Sequence, residues 1–317
     1  MNYTAYSGNW IVCGSYALVH AANLSYTDLI PIENSTGASF GISCAGDDWY
    51  GTRMLSVFRD FHYGIDAAAP LWGIQLKRIN GETKEPIAAL LEDSYVDRVI
   101  IGPVSMVGLV YLPLSQQYRC ADHFIACIRR EKNIWQLIDS EGVPGLLVDS
   151  EQIIKMLSIQ DIPEACGQYT ARAVMHVNKH EMAENRIIRI RYTLETAYVN
   201  LKEAQENGQG YKAIQRCAEL VRDIPRGRYR PLLYDVDYLI QRKIMLLKLL
   251  QEAEMNEVAI VSPYITAEVN RFIEAAGALR RSLNSECASF QEQLFDRLAE
   301  SENHITEKWK EWIKLWQ

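Results

Sequence analysis

An α+β domain over residues 1–178, followed by an all-α helical bundle over 179–317, is the architecture the sequence predicts. Three observations carry it. One apolar helical stretch stands near the start, short β-branched runs follow it, and from Lys179 onward apolar residues recur at three- and four-residue steps. A chain of 317 residues is long enough for about two such domains.

The elements follow in order. From Gly14 to Leu24, residues Tyr16, Ala17, Val19, Ala21 and Leu24 fall where one helix turns them inward. Gly and Pro then punctuate the chain. LWGIQLKRI (71–79), RVIIGPVSMVGLVYL (98–112), HFIACIRR (123–130) and IWQLIDS (134–140) read as strands, with ARAVMHV (171–177) as one more. Lys132-Asn133 between the third and fourth runs is a hairpin turn, weaker in type than Asn-Gly. A helix leading into a mostly antiparallel meander is α+β.

In the second part, Gly208 and Gly210 break the first helix and the segment Pro225–Pro231 breaks the second. Ser262-Pro263 supplies an N-cap with proline at the first helical position. The last helix sets Ile305, Trp309, Trp312, Ile313 and Trp316 on one face. Such a stripe packs into a bundle core or meets a partner, which makes a homodimer one expectation. Four or five helices are expected.

Charge and cysteine content exclude several classes. The net charge is −7, and residues 1–180 hold 13 Lys+Arg against 19 Asp+Glu. Phosphate binding needs clustered cations, so nucleic acid is not an expected partner. Seven cysteines without regular spacing argue against a disulfide framework and for a reducing compartment. No apolar run is long enough for a membrane span, and MNYTAYSGNW lacks a basic and an apolar signal region. A cytoplasmic protein with no membrane partner is expected.

Three residues carry the chemistry. Cys13 opens the first helix, where unpaired amides and the helix dipole favour a thiolate and can hold an oxyanion. Taken alone, a cysteine there reads as a small buried hydrophobe. His123 begins one strand and Asp139 ends the next. If the two strands pair around Lys132-Asn133, the imidazole and carboxylate lie side by side. A carboxylate on one ring nitrogen fixes the tautomer and leaves the other nitrogen as a base. The plainer alternative is a structural His–Asp bond at a sheet edge. Cys120, His123 and Cys127 match no common zinc spacing, and no metal is expected. His20, seven residues beyond Cys13, lines the same helix face and is expected to pack.

The order of these motifs resembles the N-terminal domain family named after butirosin biosynthesis protein H, a divergent papain-like group. Cys13 at the head of a helix, Phe40-Gly41-Ile42, His123-Phe124-Ile125 and Ile138-Asp139 carry the resemblance, which covers roughly residues 1–178. It implies a papain-like acyltransferase of natural-product (antibiotic) biosynthesis. Cys13 would take an acyl group from an acyl or peptidyl carrier protein, His123 would act as base and Asp139 would orient it. The acceptor would be an amine of a small molecule. No cofactor is implied beyond the phosphopantetheine of the carrier. Papain-like enzymes carry a glutamine a few residues before the cysteine; here Asn9 stands four residues upstream as the candidate oxyanion donor, with Asn23 or a backbone amide as alternatives. Glu33 lies seven residues before Phe40, farther than the family's acidic residue. A cysteine peptidase or amidase, or an idle papain-like binding module, remain the other readings.

Overall fold

The computed structural model describes residues 12–37, 39–44, 55–57, 61–112, 122–141, 144–159, 169–222, 230–255, 263–284 and 292–315, and the chain is α+β. In chain order come α1 (Cys13–Ala21), α2 (Leu29–Ser35), β1 (Ile42–Cys44), β2 (Leu55–Val57), α3 (Phe61–Leu71), β3 (Ile74–Ile79) and α4 (Glu85–Glu92). Then follow β4 (Arg98–Ser105), β5 (Asp122–Glu131), β6 (Ile134–Ile138), β7 (Pro144–Asp149), α5 (Ser150–Leu157) and β8 (Ala171–Val177). The remainder is helical: α6 (Lys179–Glu184), α7 (Arg186–Glu206), α8 (Tyr211–Arg222), α9 (Arg230–Met255), α10 (Pro263–Leu283) and α11 (Glu292–Ile313).

The chain divides into two compact units, Met1–Ile32 with Ile65–Ala183, and Glu33–Gly64 with Glu184–Gln317. The chain therefore changes unit three times, where the sequence predicts one boundary at 178. Residues 33–64, including the Phe40-Gly41-Ile42 motif, group with the helical unit.

The first unit is built on a six-stranded antiparallel sheet of order β3-β8-β4-β5-β6-β7. From β4 to β7 it is the expected meander. It departs from a simple meander because β8 inserts between β3 and β4, with Ala171 opposite both Ile79 and Ile101. The turn at Lys132-Asn133 joins β5 to β6, and Ala126 stands opposite Ile138. His123 through Cys127 are all buried, so both faces of β5 are covered. Helix α1 packs against β5 and β4.

Two helices the periodicity did not predict complete this core. Ile87, Leu90 and Leu91 of α4 and Ile153, Met156 and Leu157 of α5 lie at three- and four-residue steps. They bury against Val99, Ile101, Ile125, Trp135 and Leu137 of the sheet, and each such side chain contributes about 1.5–3 kcal/mol. Asp149 starts α5 with a reciprocal cap: its carboxylate accepts from the Gln152 amide at 2.7 Å, while Gln152 accepts from the Asp149 amide at 2.9 Å.

The second unit has a helical core with the hairpin β1–β2 attached. Helix α10 packs on α9 and α11, and α11 on α7 and α8. Gly208 and Gly210, both at positive φ, separate α7 from α8, and the Gly210 amide donates to the Ile42 carbonyl of β1 at 2.7 Å. Trp309 and Trp312 are buried in this unit; Trp309 packs edge-on against Phe40 and donates to the Leu194 carbonyl at 3.1 Å. Their apolar surface is thus used within the unit and supplies no dimer surface, while Trp316 lies outside the described residues. Glu33 forms a buried ion pair with Arg242, and Lys243 pairs with Glu302 at 2.7 Å. Among the described residues, no helix is long and apolar enough to cross a membrane.

Candidate active site

Helix α1 is buried on every side except at His20. A helix apolar all round is held by its surroundings, which fixes the direction of its first residue, Cys13. Among the described residues, no side chain caps its first turn, and no acidic residue lies there to repel a negative charge.

His123 is the second residue of β5, opposite Val104 of β4, and is 1% exposed. Its backbone is closely approached by Gly102, whose φ is +133°. A Cβ at that position would stand 2.6 Å from the His123 carbonyl oxygen and 2.8 Å from the Phe124 ring. Only glycine fits there. The Gly102 amide donates to the Thr170 carbonyl at 3.0 Å, and its carbonyl accepts from the buried Arg172 guanidinium at 3.0 Å. Asp66 holds Arg172 in turn, at 2.6 and 3.0 Å.

The hairpin brings Asp139 to His123. The His123 Nε2 group donates to Asp139 Oδ1 at 2.7 Å, with both side chains buried. The buried Cys13 thiol lies near enough for its charge to act on the His123 imidazole. With Nε2 held by the carboxylate, Nδ1 is the nitrogen left for the sulfur. His123 and Asp139 therefore meet, and Cys13 lies within electrostatic reach of the imidazole.

Asp139 accepts two further bonds. The Glu141 backbone N–H donates to Oδ1 at 2.8 Å, and the Tyr111 hydroxyl donates to Oδ2 at 2.7 Å. Burial opposes the charge on Asp139, but His123 and these donors outweigh it, holding the carboxyl below its usual range. Burial likewise opposes protonation of His123. The charges of Asp139 and Cys13, with their hydrogen bonds, outweigh it and push the imidazole well above its ordinary value. Burial and the Asp139 charge push the Tyr111 phenol up, so it stays a donor.

Other expected residues stand elsewhere. Asn9 lies outside the described residues. Asn23 is exposed in the turn after α1, about 15 Å of helix rise from Cys13, and so is no oxyanion donor. The backbone amides opening α1 are the donors that remain. His20 packs on Tyr16 at 4.3 Å between ring centroids, and burial lowers its pKa. Glu33 serves the second unit through Arg242. Among the described residues, no group of three or more His, Cys, Asp or Glu is placed to hold a metal ion.

Tyr111 is the member of the site that the sequence conceals. It reads as the end of one long apolar run from 98 to 112. The structure ends β4 at Ser105, whose hydroxyl accepts from the Val107 amide at 3.2 Å and caps a tight turn over Met106–Gly108. That turn redirects the chain so that Tyr111 reaches Asp139. A serine inside an apolar run was the available signal. Comparison with protein-family models and with curated proteins finds no match to this chain, so what the site does is argued from its geometry.

Proposed function

We propose that the first unit is a cysteine acyltransferase of papain-like type, acting on a carrier-protein thioester donor and a small-molecule amine acceptor in natural-product biosynthesis. The observation that carries this reading is the buried His123–Asp139 pair, 2.7 Å from Nε2 to Oδ1, with the buried Cys13 thiol near enough for its charge to act on the imidazole. The order of motifs shared with the butirosin-type family supports the choice of transfer over hydrolysis. A reduced Cys13 is needed throughout, which favours a cytoplasmic setting.

The chemistry has two balanced halves. The Cys13 thiolate attacks the donor's thioester carbonyl, and the amides opening α1 receive the oxyanion. Collapse expels the carrier thiolate, which takes the His123 proton, leaving an acyl-Cys13 thioester and a neutral imidazole. Exchange between two thioesters is nearly isoenergetic, so a cysteine suits this donor. The acceptor amine then attacks acyl-Cys13, His123 takes its proton, and amide release restores the thiolate–imidazolium pair. Asp139 keeps Nε2 engaged through both halves.

Intact-mass spectrometry with an acyl-phosphopantetheine carrier tests this directly. Wild-type protein gains one acyl group and transfers it to an amine, whereas Cys13→Ala gains none. Acyl transfer by Cys13→Ala would refute the reading. Iodoacetamide-sensitive peptide hydrolysis without a carrier would replace it with the peptidase or amidase alternative.

A further inference from the structure

The ladder between β4 and β5 is irregular beside the site. Ile101 stands opposite Ile125 and Val104 opposite His123, so β4 advances three residues where β5 advances two. The extra residue falls at Gly102-Pro103, across from His123 and Phe124. A bulge bends and twists its pair of strands and so re-aims the side chains beside it. Here those side chains include His123.

The bulge is tied to the β8 side of the sheet. The Gly102 amide donates to the Thr170 carbonyl and the Gly102 carbonyl accepts from Arg172, each at 3.0 Å, while Pro103 has no N–H to give. Arg172 is fully buried on β8, between Ala171 and Ala173, with Arg78 and Ile100 as its ladder neighbours. Replacing a buried ion pair by apolar side chains of like volume is often neutral or stabilising, so stability alone does not account for an arginine here. Its geometry does. Nε and Nη2 grip the two Asp66 oxygens at 2.6 and 3.0 Å, and Nη1 reaches the Gly102 carbonyl. The same guanidinium lies 5.5 Å from the centre of the Phe124 ring, next in sequence to His123. One planar fork thus engages α3, the bulge and the neighbour of His123 together, which an ammonium cannot do.

We propose that Arg172 is a positioning residue for the reaction: oriented by Asp66, it fixes the Gly102 bulge, and the bulge holds the His123 imidazole in place on Asp139 and towards Cys13. This rests on reading Cys13, His123 and Asp139 as one reacting set, and it extends that set to a side chain that acts through the backbone.

The test reads the rate of iodoacetamide alkylation of Cys13 in the full chain at pH 6.5, located by peptide mass spectrometry and scaled to the folded fraction by circular dichroism. Arg172→Met fills a similar volume and leaves Asp66 its second cation, Arg78 Nη1 at 2.8 Å. It slows alkylation about 10-fold, because a displaced imidazole supports less thiolate. Arg172→Lys recovers part of that loss, since it returns one donor but not the fork. In an Asp139→Asn background, Arg172→Met slows alkylation by less than about 2-fold, because both changes act on one imidazole. A full tenfold loss repeated in that background marks a general loosening of the fold and overturns the positioning role. A wild-type rate in Arg172→Met overturns it too. If Arg172→Met does not fold, Arg172→Lys decides, with and without Asp139→Asn: a wild-type rate, or an equal loss in both backgrounds, overturns the role. A wild-type Cys13 no faster than the thiols of the unfolded chain overturns the reacting set itself, before any variant is compared.

Discussion

Tyr111→Phe removes one hydroxyl from the site and keeps the ring. Among the described residues, that hydroxyl is the only donor to Asp139 Oδ2, at 2.7 Å, and the Asp139 side chain is fully buried. Loss of a hydrogen bond to a buried charged group costs about 1.5–3 kcal/mol, because water cannot replace the donor. For a unit of this size each kcal/mol lowers Tm by about 2–4 °C, so a loss of roughly 4–8 °C is expected for about 2 kcal/mol. The pH dependence has a definite sign. The Asp139 pKa is lower folded than unfolded, so its bonds contribute fully above the ordinary carboxyl pKa and are lost as pH falls through the depressed value. The gap between wild type and Tyr111→Phe is therefore full at pH 7 and narrows below about pH 4. Thermal unfolding followed by circular dichroism at both pH values measures it. A difference within about 0.5 kcal/mol at pH 7, the range of an ordinary surface change, refutes the role given to Tyr111. So does a gap that ignores pH.

Two other substitutions separate the site from the second unit. Asp139→Asn withdraws the main support of the His123 imidazolium, and iodoacetamide alkylation of Cys13 at pH 6.5 slows about 10-fold or more. Because the folded His123 pKa is raised, the stability it contributes is full below the ordinary histidine pKa and is lost as pH rises through the raised value; the stability gap between Asp139→Asn and wild type is thus widest at low pH within the range where Asp139 is ionised. Glu33→Gln leaves the buried Arg242 without its carboxylate, and denaturant unfolding of the helical unit shows a loss of about 3–5 kcal/mol.

Which parts were legible in the sequence follows from how far each residue's partner lies along the chain. The strand over 171–177 was bounded correctly because β-branched residues and turn signals are local. The hairpin was legible for the same reason, and it placed His123 beside Asp139 before any tertiary contact was considered. Strand β7 is not legible because its apolar run, Leu146-Leu147-Val148, is only three residues long between Gly-Val-Pro-Gly and the acidic cap Asp149. Segment 33–64 groups with the helical unit, and nothing local to it in the sequence reveals those partners. Its Leu55 amide donates to Asp235 at 3.0 Å, and its Cys44 amide to Gln209 at 3.1 Å, each more than a hundred residues away in sequence.

The site divides along the same line. His123 and Asp139 sit sixteen residues apart on one hairpin, so secondary structure alone brings them together. Cys13 lies more than a hundred residues from His123 and was singled out by chemistry, a thiol at the head of an apolar helix. What joins them is the burial of α1 against β5, which depends on core packing that no short motif encodes. Tyr111 and Glu141 escaped detection for opposite reasons. A tyrosine ending an apolar run is read as packing until its hydroxyl is seen on Asp139. A glutamate in a turn is read as a solvated charge until it is found half-buried without a partner among the described residues. Both touch or face the same carboxylate. Asp139 thus gathers the His123 imidazole, the Tyr111 phenol that helps hold the carboxylate ionised, and the backbone amide of Glu141. A substitution at Tyr111 therefore weakens the fold and the His123 charge together, because both depend on the ionised carboxylate of Asp139.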